Sequence, residues 1–406
     1  MKKLVSLVLA LALALSMFSF ASASSLEGTY EVKVWVAEAI VDLTKQQIED
    51  FNSTNQLGIT INATVEAVGE GDAAGKVITD VEAAADIFGF AQDQLARIVA
   101  AGALEEVEPG NAEIVKAEND AGSVAAATMG ETLYAYPLTS DNGYFLYYDS
   151  SVVTDPSDLD AILADCEAAG KSFYMEINSG WYQTAFFFGT GCKLEYTTDD
   201  EGNFNGSNIT YDSAEGVAAL KAMINMHKSS AFYNGSSVDD ATNAAAIVTG
   251  TWAKESAIAL FGDNYATAKL PTFTVDGSTY QLSGFGGFKL MGVKPQTDAK
   301  KLVVVNALAA YLTSEEVQLA RFNAVGWGPS NLNAQKNDAI ANDPALSALA
   351  EQLAYTIPQG QYPNDYWSLA TSLGDSVISK EYDNANDDQL MEVLKMFAET
   401  CRSYAQ

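Results

Sequence analysis

The sequence predicts an α/β fold arranged as two globular units with a helical C-terminal region. Its 406 residues are 48% apolar and 10% aromatic, enough to bury two cores on ordinary domain sizes. Runs of period two alternate with runs of helical spacing over most of the chain, the pattern of a mostly parallel sheet flanked by helices. From Lys300 onward the spacing is almost entirely helical.

The elements follow in order. Tyr30-Glu31-Val32-Lys33-Val34-Trp35-Val36 alternates, Leu43 to Phe51 has helical spacing, and Ile59 to Val65 alternates again, which makes a β-α-β unit. Helix is expected over Val77–Ala85, a short buried strand over Ala85–Phe90, and helix over Asp93–Ala101 ending at Gly102. Two β-like runs, Leu133–Pro137 and Gly143–Tyr148, are separated by Leu138–Asn142, an extended passage suited to a crossing between units. A second series follows: helix Pro156–Ala169, strand Ser172–Ile177, helix Trp181–Phe188, helix Ala214–Lys228, strand Ala244–Val248 and helix Lys254–Leu260. Asp199–Asn203 reads as a hairpin turn, and the glycines of Ser283–Phe288 suit a return crossing.

Composition narrows the function. The chain has 22 Lys+Arg against 53 Asp+Glu, a net charge of −31, and such a field repels nucleic-acid phosphates and anionic headgroups. One histidine, His227, excludes a multi-His metal site and leaves little His-based acid/base chemistry. Met1-Lys2-Lys3, the apolar run to Phe20 and Ala21-Ser22-Ala23 read as a secretory signal over residues 1–23 with no lipid-attachment Cys after it. Cys166, Cys192 and Cys401 form an odd set, so at least one is unpaired; a 166–192 bridge stays open from the sequence.

Several motifs lead nowhere. Gly69-Glu70-Gly71-Asp72-Ala73-Ala74-Gly75-Lys76-Val77 lacks the Walker spacing and reads as a loop leading into a helix. Gly284-Phe285-Gly286-Gly287-Phe288-Lys289 does not open a helix, as a dinucleotide fingerprint must. Asp383–Asp388 lacks the glycine of a calcium loop and reads as an N-cap for a helix over Gln389–Thr400. His227 at a helix end reads as structural.

The large aromatics stand out by position. Phe90 ends a strand beside Asp93, Trp181-Tyr182 opens a helix, Trp252 follows Val248-Thr249-Gly250-Thr251, and Tyr366-Trp367 opens another helix. Strand C-termini and helix N-termini are where open α/β sheets bind ligands. Rings stack on pyranose faces while carboxylates accept from the hydroxyl edge, so an aromatic and acidic site suits a neutral polyhydroxylated ligand.

With these residues in view, the chain resembles the extracellular sugar-binding components of ABC importers, family 1, and among them the maltose/maltodextrin-binding proteins. The matching segments are Lys33–Val36, Asp86–Asp93, Gly102–Leu104, Leu133–Pro137, Thr249–Ala253, Lys269–Phe273, and Ile357-Pro358-Gln359 followed by Tyr366-Trp367. The resemblance implies a two-lobed periplasmic-binding-protein fold of class II type, with a hinge between the lobes and a sugar held in the cleft. Lobe 1 is expected over 26–140 plus 286–336, and lobe 2 over 141–285 plus 337–406.

Carried over by position, the resemblance implies a ligand-binding set. Phe90 falls at a stacking Trp, Asp93 at a hydroxyl-accepting Asp, and Asp141 at a Glu after the Tyr-Pro crossing. Trp181 and Tyr182 replace a Tyr-Phe pair, Trp252 is identical, and Trp367, or Tyr366 beside it, matches the C-terminal stacking Trp. Glu38 lies in a first loop that differs in sequence, and Gln94 stands where the motif has Arg.

The expected function is capture of an oligosaccharide, foremost maltose or maltodextrin, and its delivery to ABC transporter permease subunits. No catalytic residue, metal or cofactor is expected, and the protein is expected to be a secreted monomer of the periplasm or cell surface. A binder of another neutral glycan or polyol is the alternative within the class. A secreted glycoside hydrolase with paired carboxylates, or an adhesin for polymeric starch, is the alternative outside it.

Overall fold

The computed structural model describes residues 26–405, so the signal segment expected over 1–23 lies outside the described residues. Two compact units result, one from residues 26–140, 200–202 and 288–340, the other from 141–199, 203–287 and 341–405. The chain passes from the first to the second within the strand Ala135–Asn142, and returns within the strand Phe285–Val293.

The first unit is built on the opening β-α-β. Strand Gly28–Val36 pairs in parallel with Ile59–Ala67 along its whole length, from Gly28↔Ile59 to Val36↔Ala67. It also pairs in parallel with Ile87–Ala91 through Val34↔Ile87. Helix Val41–Thr54 connects the first two strands and buries Ile48 and Phe51. Strand Phe285–Val293 runs antiparallel to Ile87–Ala91, with Lys289 opposite Ala91 and Leu290 opposite Phe90. Ligand-facing loops therefore belong at the carboxyl ends of three parallel strands, after Val36, Ala67 and Ala91.

In the second unit the sheet runs in the order Phe232–Tyr233, Ser172–Tyr174, Ala244–Thr249, Phe145–Asp149, Tyr265–Ala268. The first three strands are mutually parallel and the last two antiparallel to their neighbours. A large core gathers Tyr144, Phe186, Phe187, Tyr211, Tyr362, Tyr366 and Phe397. Phe187 and Tyr211 stack at 4.0 Å, and Tyr211 stacks in turn on Phe397 at 5.5 Å. The C-terminal helices Asn364–Ile378 and Asp387–Ser403 cover this core.

Several boundaries differ from the sequence reading, each for a local reason. The helix expected over Val77–Ala85 forms at Ala73–Thr79, because Ala73, Ala74 and Val77 make its buried face and Asp80 leaves helical geometry. Leu138–Asn142 is the continuation of a strand, Ala135–Asn142, since Leu138, Thr139 and Asp141 are all buried. The helix expected from Trp181 starts at Thr184, which leaves Trp181 and Tyr182 in the preceding turn. Of the glycines at Ser283–Phe288 only Gly284 has a positive φ, +134°, and Gly286 and Gly287 lie inside a strand.

Other elements stand as read. Helix Ala214–Lys228 is capped by Ser213, and Leu194–Thr198 pairs antiparallel with Phe204–Ile209 across the expected hairpin. Asn386 and Gln389 close a capping box on the last helix. Cys166, Cys192 and Cys401 are all buried and unbridged, so the 166–192 pairing is not made. Burial pushes the Cys166 and Cys401 thiols up to about 12, which leaves both unreactive.

Candidate functional site

The aromatic site residues of the second unit converge on the carboxyl edge of its sheet. Strand Ala244–Thr249 ends in the turn Gly250–Ala253, which carries Trp252. The turn before helix Thr184–Gly189 carries Trp181. The two indoles lie 5.8 Å apart at 44°, and both residues remain half-buried. Trp181 donates its Nε1 hydrogen to Gln359 Oε1 at 3.2 Å, which ties the ring to the Ile357-Pro358-Gln359 segment. Trp367, also half-buried, stands on the first turn of helix Asn364–Ile378.

Buried groups under these rings fix their positions. Gly250 is required beneath Trp252, because a Cβ there would sit inside the six-membered half of the indole. Asp141 accepts from the Thr251 hydroxyl at 2.5 Å, and Tyr147 donates to the Gly250 carbonyl at 3.2 Å, so the turn is held from both sides. The Tyr144 hydroxyl donates to the Trp181 carbonyl at 3.0 Å. Burial raises the Tyr144 phenol above its ordinary value, so it stays protonated and able to donate.

Tyr182 is buried beside the hydroxyls of Ser236 and Thr249, and burial pushes its phenol up to about 12. Ser236 donates to Glu176 Oε2 at 2.6 Å. Glu176 thus brings a carboxylate to the same strand edge as the indoles, one that sequence reasoning hid inside a strand expected to run to Ile177. The strand stops at Tyr174, and Glu176 falls in the loop that follows.

Two expected platforms are corrected. Phe90 is fully buried, tilted against Phe88 at 5.8 Å on the face of its strand that packs over Gly292. With an apolar core on that face, it offers no surface for stacking. Tyr366 is also fully buried and donates to the Gly180 carbonyl at 2.9 Å, so it shapes the Trp181 turn while Trp367 beside it is half-buried. Asp141 has the positioning role given above and is only 2% exposed.

In the first unit, Asp93 is 4% exposed, and desolvation raises its carboxyl to about 7 despite the nearby Arg97. Glu38 is exposed in the short turn Glu38–Ile40 after the first strand. Gln94 turns away from any ligand: its Oε1 accepts from Ala74 N–H at 2.9 Å, and its Nε2 donates to the carbonyls of Glu70 at 2.9 Å and Gly71 at 2.7 Å. It clamps the loop that precedes helix Ala73–Thr79.

With this geometry in place, comparison with known proteins decides the family. Residues 46–348 match the model of bacterial extracellular solute-binding proteins. The chain belongs to that family. The solute-binding protein is also similar to a protein whose structure was solved with acarbose, at 26% identity and TM-score 0.80, covering 93% of this chain and all of the other. It resembles in fold the maltodextrin-binding protein of L. casei, at 23% identity and TM-score 0.76 over 93% of this chain and all of that one. The maltotriose-binding protein of Thermus thermophilus gives 20% identity and TM-score 0.75 over 91% and 99% of the two chains. No curated sequence matches the solute-binding protein. Among its described residues no helix is long and apolar enough to cross a membrane.

Proposed function

We propose that this protein captures a neutral oligosaccharide of the maltose/maltodextrin class outside the cytoplasm and delivers it to an ABC importer. The single observation that carries the reading is the pair of half-buried indoles, Trp181 and Trp252, at a sheet's carboxyl edge with Glu176 at the same edge. Stacked rings take the apolar faces of a pyranose, and the carboxylate and Gln359 amide suit its hydroxyl edge. Acarbose, maltotriose and maltodextrin, named for the similar structures, support an α-glucan as the ligand.

Isothermal titration against maltose, maltotriose, maltotetraose, isomaltose and cellobiose tests it, with intrinsic Trp fluorescence read in parallel. Binding of the maltodextrins with a change in emission is the expected result; silence across the panel refutes it. Tightest binding of cellobiose or isomaltose assigns another neutral glycan, a reading that the inward-turned Gln94 favours. Chromatography after overnight incubation with maltohexaose should show intact sugar, and released glucose would point to hydrolysis instead.

A further inference from the structure

Glu70 of the Gly69–Lys76 loop and Lys289 at the end of the Gly284–Lys289 run, two stretches that carry no motif in the sequence, meet in the first unit. Glu70 follows the strand Ile59–Ala67, and Lys289 pairs across the sheet with Ala91, the last residue of Ile87–Ala91. Both therefore stand at the carboxyl edge of the parallel strands. Trp327, just after helix Glu315–Val325, closes the group, with Lys289 Nζ 3.7 Å from its ring centroid.

The ion pair in this group is loose. Lys289 Nζ lies 3.9 Å from Glu70 Oε2, well beyond the ~2.8 Å of a direct charged hydrogen bond. The Lys289 and Glu70 side chains are only 8% and 11% exposed. Glu70 Oε1 and Trp327 Nε1 are buried and have no hydrogen-bond partner among the described residues. An acceptor and a donor left this way are costly, and such groups call for a partner. The Glu70 backbone, by contrast, is fixed: its carbonyl accepts from Ala91 N–H at 3.1 Å and from Gln94 Nε2.

We propose that Glu70, Lys289 and Trp327 form a sugar-hydroxyl site of the first unit that selects neutral over charged sugars; this rests on the function proposed above. A hydroxyl oxygen bridging charges spaced in this way, at ~2.8 Å from each, would donate its hydrogen to Glu70 and accept one from Lys289. The buried indole N–H and the second carboxylate oxygen are the further donor and acceptor of this group. A uronate placed here meets Glu70 as a like charge, and an amino sugar meets Lys289 in the same way. Only a neutral hydroxyl satisfies both partners at once.

The test is titration of wild type, Glu70→Gln and Lys289→Met with maltotriose, a galacturonate disaccharide and a glucosamine disaccharide, with thermal melts as a folding control. Wild type should bind maltotriose about 100-fold or more above either charged sugar, and each variant should lose about tenfold on maltotriose. Glu70→Gln should narrow the gap to the uronate alone, and Lys289→Met the gap to the amino sugar alone, a crossed pattern that a purely structural pair does not give. Unchanged maltotriose affinity in folded variants overturns the site and leaves the proposed function standing. Equal binding of charged and neutral sugars by wild type overturns the selectivity even where a variant fails to fold. Absence of any binding by wild type overturns both.

Discussion

Asp86 and Glu70 are both buried carboxylates of the first unit, both beside lysines, yet they differ in how completely the fold satisfies them. Asp86 precedes the strand Ile87–Ala91 at its amino end. Its Oδ2 accepts from Lys33 N–H at 2.9 Å, and its Oδ1 takes Gln296 Nε2 at 3.1 Å and Lys301 Nζ at 3.0 Å, with Lys294 at 4.0 Å. Glu70, at the carboxyl end of the same sheet, has a lysine at 3.9 Å and an oxygen with no hydrogen-bond partner among the described residues. A fold that needs a carboxylate for its own cohesion surrounds it, as at Asp86. A carboxylate kept for another molecule is left incomplete, and the position of Glu70 where α/β sheets take ligands agrees with that.

Asp86→Ala should cost about 3–5 kcal/mol in urea unfolding, because it strands a backbone N–H together with half-buried Lys294 and Lys301; a loss below about 1 kcal/mol would remove the contrast. Asp93 supplies the next effect. Its folded-state carboxyl at about 7 lies above its ordinary value of 3.8, so the native state binds the extra proton, and stability falls as pH rises from about 4 to about 7. The full effect approaches ~4 kcal/mol at ~1.4 kcal/mol per unit. Melting Asp93→Asn alongside wild type should flatten that slope, and parallel slopes would contradict it.

Smaller effects fall on binding. Trp252→Ala and Trp181→Ala should each weaken maltotriose binding by ~1–2 kcal/mol, roughly five- to thirtyfold, with little change in melting temperature. Phe90→Leu, in the core, should reverse this pattern, lowering stability by about 1 kcal/mol and leaving affinity nearly intact. Glu70→Gln should cost clearly less than Asp86→Ala in unfolding free energy, since it keeps a side chain of the same size and interrupts a single contact at 3.9 Å. A cost matching that of Asp86→Ala would make Glu70 a structural residue after all.

Much of the fold is legible in the sequence. Alternation at Tyr30–Val36 and Ile59–Val65, with a helical run between, leaves little choice but a parallel β-α-β. Helix Ala214–Lys228 announces both its ends through Ser213 and the basic last turn. The candidate site is half legible. Rings at element ends mark Trp181, Trp252 and Trp367 as candidates, and the fold leaves all three half-buried. The same rule misplaces Phe90 and Tyr366, whose burial depends on Gly292 and Gly180, far away in the chain.

Sequence alone therefore determined the order of strands and helices, the division into two units, and the aromatic, acidic character suited to a neutral sugar. These are local matters, set by periodicity, capping and side-chain chemistry within one element. Tertiary structure alone decided which ring keeps an open face, that Gln94 clamps a loop, and that Glu70 stands beside Lys289. Such facts rest on contacts between distant segments, and a sequence pattern records that a residue is buried without recording what it is buried against.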